Sequence, residues 1–575
     1  MNKYLLLLFM GSFLYVNAEE ITIPEITVET YIQDEQPILT MQETTPGMKQ
    51  PVIHGLMGDK ILITLDNNKF SNSLFRSGPN QYYSWVPDQF VIHNTVNETL
   101  LNSSLGGTVN RTLGINTTGI DIEASSNTFT GTATYSDKSF QAGFTVIDNA
   151  NVVTPSDGEV KHSSYNQKAA FLSYKSENST TKFMLTQSDD IDRTDKFEKG
   201  DYYVYELQRY SMLSHEYKIL GTDIIIMPSL QQFREKIDRD SSTRKNIDST
   251  NNIFALNISN KRVGLFTQTD TLKYGLTNHY EDISYTKGLT TTDYYYNTFS
   301  LWTSYKDNIS EKWDYGLTYN FSALNTSGGS IDRSMTGSAF GINLNYYIND
   351  TFYTYGSFNS NFKFPTITNL AEARSDSVEE IANPNLDSEK ALTTRVGIYY
   401  EGLNISLFQK KLYDMIIRVQ TNIPDGKGDY KWMYENTDKG YINGLSFIYA
   451  KTFGEDWKVR FNAEFLDGKT DYDYISKLQS FVSSSYVQYK DFWVEFLYAP
   501  SVAEDKMALK DKTDIRIKNH NDGYNILNMG YSYAYKNHTL SLYLDNILNS
   551  SGRVYGSSVD FNERRVRVKY TYYLK

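Results

Sequence analysis

An all-β transmembrane barrel preceded by a small separate domain is the fold this sequence predicts, on three observations. Apolar and polar residues alternate with period two from about residue 120 to the C-terminus, with turn residues between the runs and almost no helical period. The N-terminus carries an export signal, yet no later stretch approaches the ~20 apolar residues that a membrane helix needs. Aromatics are abundant: 47 Tyr, 30 Phe and 6 Trp make 14% of the 575 residues. One sandwich core cannot use so many, whereas two aromatic girdles at the membrane interfaces consume them.

Composition excludes other classes. A disordered polymer is aromatic-poor, and this chain is not. Cys is absent, which removes disulfides, thiolate metal sites and cysteine nucleophiles. Lys plus Arg number 56 against 68 Asp plus Glu, and the resulting −12 argues against nucleic acid as a partner.

The elements follow in order. Lys3, the apolar run Leu5–Met10 and Val16-Asn17-Ala18 before Glu19 read as a secretory signal peptide, residues 1–18. Residues 19–45 are acidic and polar, with Glu19, Glu20, Glu25, Glu29, Asp34, Glu35 and Glu43, and hold one β-prone piece, Ile26-Thr27-Val28. They read as a flexible tail. Residues 46–118 have small-domain character: a Pro46-Gly47 turn, a Lys60–Leu65 strand and an Asp66-Asn67-Asn68 turn, where Asn suits positive φ. The barrel is expected over 119–575. Phe129, Gly131, Ala133 and Tyr135 alternate with threonines, Ser136-Asp137-Lys138 turns, and Phe140, Ala142, Phe144 and Val146 resume. Ile224–Met227 is among the most apolar short runs, and Pro228 ends it. Val396, Ile398 and Tyr400 lead through Glu401-Gly402 to Leu403, Ile405 and Leu407. In the last segment Val566, Val568, Tyr570, Tyr572 and Leu574 share one face, and Arg565, Arg567, Lys569, Thr571 and Tyr573 the other. A lipid-facing barrel puts the apolar face outward and the cations into a wet lumen; a soluble sandwich would turn the apolar face to a core.

Several stretches resemble the TonB-dependent outer-membrane receptors. Pro46-Gly47-Met48, His54-Gly55-Leu56, Lys60–Leu65 with Asp66-Asn67-Asn68, and Leu105-Gly106-Gly107-Thr108-Val109-Asn110 resemble the family's plug. Asn361–Thr366, Asn383–Lys390, Asn436–Leu445 and Asp545–Asn549 resemble barrel elements, in family order. The resemblance implies twenty-two antiparallel strands around an α+β plug domain held inside the lumen, in a bacterial outer membrane. It implies a TonB box at Glu25-Ile26-Thr27-Val28-Glu29-Thr30, where an extended strand can add to a partner's sheet edge; the same residues can also be read as the β-prone part of a tail. Departures are His54 in place of an Arg, Phe90–Thr95 in place of an I-E-V-x-R-G-P element, and a terminal Lys575. Phe362–Pro365 and Asn383–Leu386 resemble the two boxes of haem receptors, but no His lies in 366–382, and they read as barrel structure.

The function so implied is import of a scarce solute, most often an iron chelate (siderophore or haem), driven by the inner-membrane proton gradient through TonB and its energising complex. Cobalamin or another metal complex is the alternative within the family. A passive pore or adhesin is the alternative outside it, and it would need neither the tail nor the 46–118 domain. Arg76, Asn80, Gln81, Tyr82, Tyr83 and Trp85 are the expected ligand contacts, because guanidinium pairs with carboxylates and aromatic rings stack on organic chelates; the alternative is that this loop packs inside the barrel wall. Outer-membrane lipid surrounds the expected barrel, and the family is usually monomeric. None of His54, His93, His162, His215, His279, His520 and His538 forms a close metal pair, and no nucleophile elbow or nucleotide loop occurs. The chain is therefore expected to be no enzyme and to hold no resident metal or cofactor.

Overall fold

The computed structural model describes residues 40–574 apart from 71–72, 75–82, 98–103, 195–202, 240–244, 262–270, 288, 372–379, 425–429, 455, 514–516 and 518–520. The expected signal peptide, the TonB box (25–30) and the ligand candidates Arg76, Asn80, Gln81 and Tyr82 lie outside the described residues.

Among the described residues, twenty-two antiparallel strands close into a barrel, from Gly119–Ser125 to Arg565–Tyr573. Among the described residues no helix is long and apolar enough to cross a membrane; a closed barrel is the other structure that can. The alternation read from the sequence sets the two faces. Phe129, Tyr135, Val566, Val568 and Tyr570 are exposed on the outer surface, and Thr132, Thr145 and Thr571 are buried within. Exposed Tyr135, Phe140, Trp313, Tyr400, Trp457, Tyr489, Phe492 and Tyr535 all sit at or next to strand ends along one rim, as an interfacial girdle requires. Among the described residues the connections on that rim are short turns. At one of them Glu401 (φ 46°) and Gly402 (φ 88°) take the paired left-handed conformation of a two-residue hairpin. The other rim carries the long connections 364–388, 501–522 and 546–564. Outer-membrane barrels have short periplasmic turns and longer external loops, so the short-turn rim, which also carries both ends of the barrel domain, faces the periplasm.

The wall is uneven in height. The strands at the closing seam run seven to ten residues, whereas Leu403–Pro424 and Tyr430–Phe453 run 22 and 24. At the seam the cations of the last strand meet acids of the first and of a neighbour. Arg567 bonds Asp545 (2.6 Å) and Glu123 (2.8 Å), Arg565 bonds Asp545 (2.9 Å), and Lys569 lies 3.5 Å from Asp121. Opposite charges on facing strands favour this register over a slipped one. Pro228 does not end its strand. It lies inside Ile224–Arg239 opposite Phe254, and on the other side the pairing passes from Ile226 to Ser229 without it. A proline lacks one donor, and the ladder is interrupted only where that donor was due.

Residues 40–118 fill part of the lumen. Asn68–Lys69, Ile61–Leu65, Gly107–Leu113 and Val91–Asn97 form a four-stranded sheet in that order, with Ile61–Leu65 parallel to Gly107–Leu113. The turn at Asp66 (φ 48°) and Asn67 (φ 62°) is as expected. Thr40–Thr45 and Met48–Val52 form a separate hairpin around Pro46-Gly47. Helix in this domain is limited, among the described residues, to short 3₁₀ turns at Gly58–Lys60, 83–85 and Asp88–Phe90. Residues 40–45, expected to be tail, are therefore strand. Their polar side chains bond polar partners: Gln42 donates to the Gly556 carbonyl and Thr45 to the Asp192 carbonyl, so burial does not show in their hydropathy. A domain this small cannot build a sufficient core alone, and it shares one with the wall. Phe70 lies edge-on to Tyr210 (4.9 Å) and beside Phe233 (5.4 Å), and Phe90 stacks on Phe171 (5.7 Å).

Candidate functional site at the outer face of the plug

The plug segment with the expected ligand contacts leaves the sheet after Lys69 and rejoins it at Val91. Both of its flanks are clamped. On the leading side, Ser73 donates from its backbone N–H and its hydroxyl to Glu281 (2.7 Å each), a fully buried carboxylate on the wall strand Thr271–Lys287. The external connection 364–388 presses down on the same point. A short helix, Ile367–Leu370, capped by Thr366, puts the Thr368 N–H on the Ser73 carbonyl (3.2 Å) and its hydroxyl on the Leu74 carbonyl. On the trailing side Arg111, wholly buried, donates to the carbonyls of Tyr83 (2.7 Å) and Val86 (2.8 Å), bonds Asp88, and covers the Tyr83 ring at 4.1 Å.

Two of the expected contacts are thereby placed. Tyr83 is buried under Arg111, and Trp85 is buried against the wall with its indole N–H on Gln208 (2.9 Å). Both anchor the plug, and neither opens on the outer face. Arg76, Asn80, Gln81 and Tyr82 lie between the clamps, outside the described residues.

A second point of attachment is electrostatic. Lys363 lies 2.9 Å from Asp59 and 3.0 Å from Glu389, Lys60 pairs with Glu389, and the Ile416 N–H also donates to Glu389 (2.7 Å). Two plug residues and two wall residues thus make a neutral four-charge cluster with Glu389 fully buried. Burial alone would raise the Asp59 carboxyl, but Lys363 and then Lys60 outweigh it and hold it down at about 2. A carboxyl held below its unfolded value of about 3.9 contributes stability that is complete above that pH and is lost as pH falls through the folded value. The urea midpoint for plug opening should therefore keep its Asp59 contribution from pH 7 to about pH 4 and lose it only toward about pH 2. The difference between wild type and Asp59→Asn measures this, and a difference already shrinking at pH 6 would contradict it.

His54 is the third attachment. Its positive φ (47°) turns it out of the Ile53–Leu56 loop into the wall. Nδ1 faces the Glu464 carboxylate, Nε2 lies 3.1 Å from an Arg395 guanidinium nitrogen, and the ring rests 4.3 Å from Phe408. A neutral imidazole with its proton on Nδ1 satisfies both partners. The guanidinium that the family pattern puts on the plug here comes from the wall.

The sequence reading missed Arg111, Glu281, Asp59, Lys60, Lys363 and Glu389. A signal existed for two of them. Lys363 lies inside Asn361–Thr366 and Glu389 inside Asn383–Lys390, stretches already singled out. The first box meets the plug, with Phe362 and Phe364 buried in the shared core, whereas the second is held to the wall: Arg333 donates to the Pro384 carbonyl, and the Asn383 amide donates to the Tyr434 carbonyl (2.8 Å).

Comparison with known proteins agrees with this architecture. The family of TonB-dependent receptor-like β-barrels matches residues 64–547. No curated protein matches the sequence. Among solved structures, the copper transporter OprC is similar at a TM-score of 0.75 with 12% identity, over 94% of each chain. The FrpB iron transporter of Neisseria meningitidis is similar at 0.71 and 12%, over 94% of this chain and 95% of that one. The hemophore receptor HasR of Serratia marcescens, solved with its hemophore HasA and heme, is similar at 0.68 and 12%, over 91% and 93%. At such identity the likeness is one of fold.

Proposed function

This chain belongs to the TonB-dependent receptors, proteins of the bacterial outer membrane, and we propose that it imports an iron chelate, a siderophore or haem, by TonB-driven displacement of its plug. The observation that carries the reading is a closed barrel whose lumen holds a domain fastened to the wall by polar clamps and by an apolar core that the two share. A passive pore has no use for such a stopper. Residues 1–18 direct export, and residues 25–30 are the TonB box, an extended strand offered to a partner's sheet edge. Arg76, Asn80, Gln81 and Tyr82, between the two clamped flanks, meet the cargo from below, the guanidinium answering an anionic chelate and the phenol stacking on it. The similar structures are a copper transporter, an iron transporter and a hemophore receptor solved with heme, and cobalamin or another metal complex is the alternative cargo.

Deleting residues 24–30 tests the reading. Cells carrying the deletion should bind a radiolabelled ferric chelate at the surface as wild type does, while energised uptake falls to background. Uptake that persists without the segment means that the barrel conducts passively.

A further inference from the structure

We propose that the inner wall near the closing seam carries a lane of aromatic faces along which a flat, π-rich chelate passes from the outer side to the periplasm. The inference rests on the import reading and adds to it a second binding surface, separate from the outer face of the plug.

The apolar packing of the plug is one-sided, and toward the closing seam its first hairpin makes, among the described residues, only polar contacts, with the connection 546–564. The apolar core it shares with the wall reaches wall residues from Ala169 to Leu478, and among the described residues none from Phe481–Tyr489 to the last strand. Those later strands have a small apolar cluster of their own around Val482, Ala499, Tyr524 and Ile526. Their lumen-facing side chains Tyr486, Trp493, Tyr543 and Arg567 remain partly exposed. Lipid accounts for aromatic rings outside and the core for rings in the plug; neither accounts for rings bordering a wet lumen.

The rings are joined. Tyr486 stacks on Trp493 (6.0 Å, 26° between planes), Trp493 reaches Tyr543 (6.1 Å), and the Arg567 guanidinium lies 4.7 Å over Tyr543. Trp493 and Tyr543 are not on neighbouring strands: Gly530 stands between them, paired with both. A Cβ at Gly530 would come within 2.5 Å of the indole, so only glycine lets Trp493 lie flat across that strand.

The row also runs in a useful direction. Trp493, Gly530, Tyr543 and Arg567 are successive register partners, and strands in such a barrel are tilted, so a row across them climbs the wall. Trp493 is the second residue above the periplasmic turn, Tyr543 the sixth, and Arg567 the third residue below the outer end. Arg567 is itself neutralised by Asp545 and Glu123, so the lane offers ring faces without a strong charge trap. Passage requires several weak sites in series rather than one tight one, and three adjoining ring faces supply that.

The test uses the full chain in energised cells with radiolabelled iron supplied as catecholate, hydroxamate and porphyrin chelates. Surface binding in the cold should be unchanged in Trp493→Leu and Tyr543→Leu, while the uptake rate falls by about tenfold. Trp493→Phe, which keeps a ring face, should retain most of it. A purely structural role would instead tolerate Leu, which keeps apolar bulk. Leu variants that import at the wild-type rate overturn the lane, as does equal loss in Leu and Phe. Wild-type cells that import none of the chelates overturn the import reading itself, and the lane with it. Slower migration of the unheated barrel on gels detects folding failure; should Trp493→Leu show it, Tyr543→Leu alone decides between these outcomes.

Discussion

Replacing Glu389 with Gln is expected to loosen the plug by about 3–5 kcal/mol, the cost of breaking a buried ion pair from one side. Glu389 is wholly buried and receives Lys60, Lys363 and the Ile416 N–H. An amide can accept from them but cannot neutralise them, and one surplus cation is then confined where water does not reach. Hydrogen exchange over Ile61–Leu65 should accelerate by two to three orders of magnitude, at about 1.4 kcal/mol per tenfold. Outer-membrane permeability to large antibiotics should rise with it. The double variant Lys60→Met with Glu389→Leu leaves Asp59 and Lys363 as a neutral pair and should recover most of the loss, since well-packed apolar groups often replace a buried pair at little cost. Unchanged exchange in Glu389→Gln would show that the cluster does not hold the plug.

Arg111→Ala should have an effect of similar size, confined to the trailing flank. The change strips donors from the buried carbonyls of Tyr83 and Val86, each costing about 1–3 kcal/mol unpaired. It also removes the cation covering the Tyr83 ring. The Asp88 side chain is 84% exposed, so that ion pair contributes little. Exchange should rise over residues 83–91 and leave the barrel strands as they were, and affinity for cargo should fall because the segment 75–82 loses one of its two anchors. Arg111→Lys should recover one carbonyl bond at most, since one ammonium lacks the planar fork that spans both. Wild-type exchange over 83–91 in the Ala variant would remove Arg111 from this role.

The barrel was legible because a lipid-facing strand writes its environment into every second residue. Phe129, Tyr135, Val566 and Val568 had to be apolar, whatever their neighbours, and the alternation could be counted from the chain alone. The turns were legible for a local reason too: Asp66-Asn67 and Glu401-Gly402 take left-handed conformations set within a few residues. Pro228 was not legible in this way, because its effect depends on whether its missing donor falls where a neighbour needs one, and only the pairing decides that.

What the sequence by itself determined was therefore a membrane barrel with a domain ahead of it, since lipid contact and turn geometry are properties of single strands. Tertiary structure alone decided where that domain touches the wall. Asp59 and Glu389 lie far apart in the chain, as do Ser73 and Glu281, and a carboxylate in a polar stretch looks the same whether it meets water or a buried lysine. It also decided that Tyr83 and Trp85 anchor the plug, Trp85 against the wall, and that Trp493, Gly530, Tyr543 and Arg567 fall into one row. Register between strands is a relation among distant residues, and no local pattern carries it.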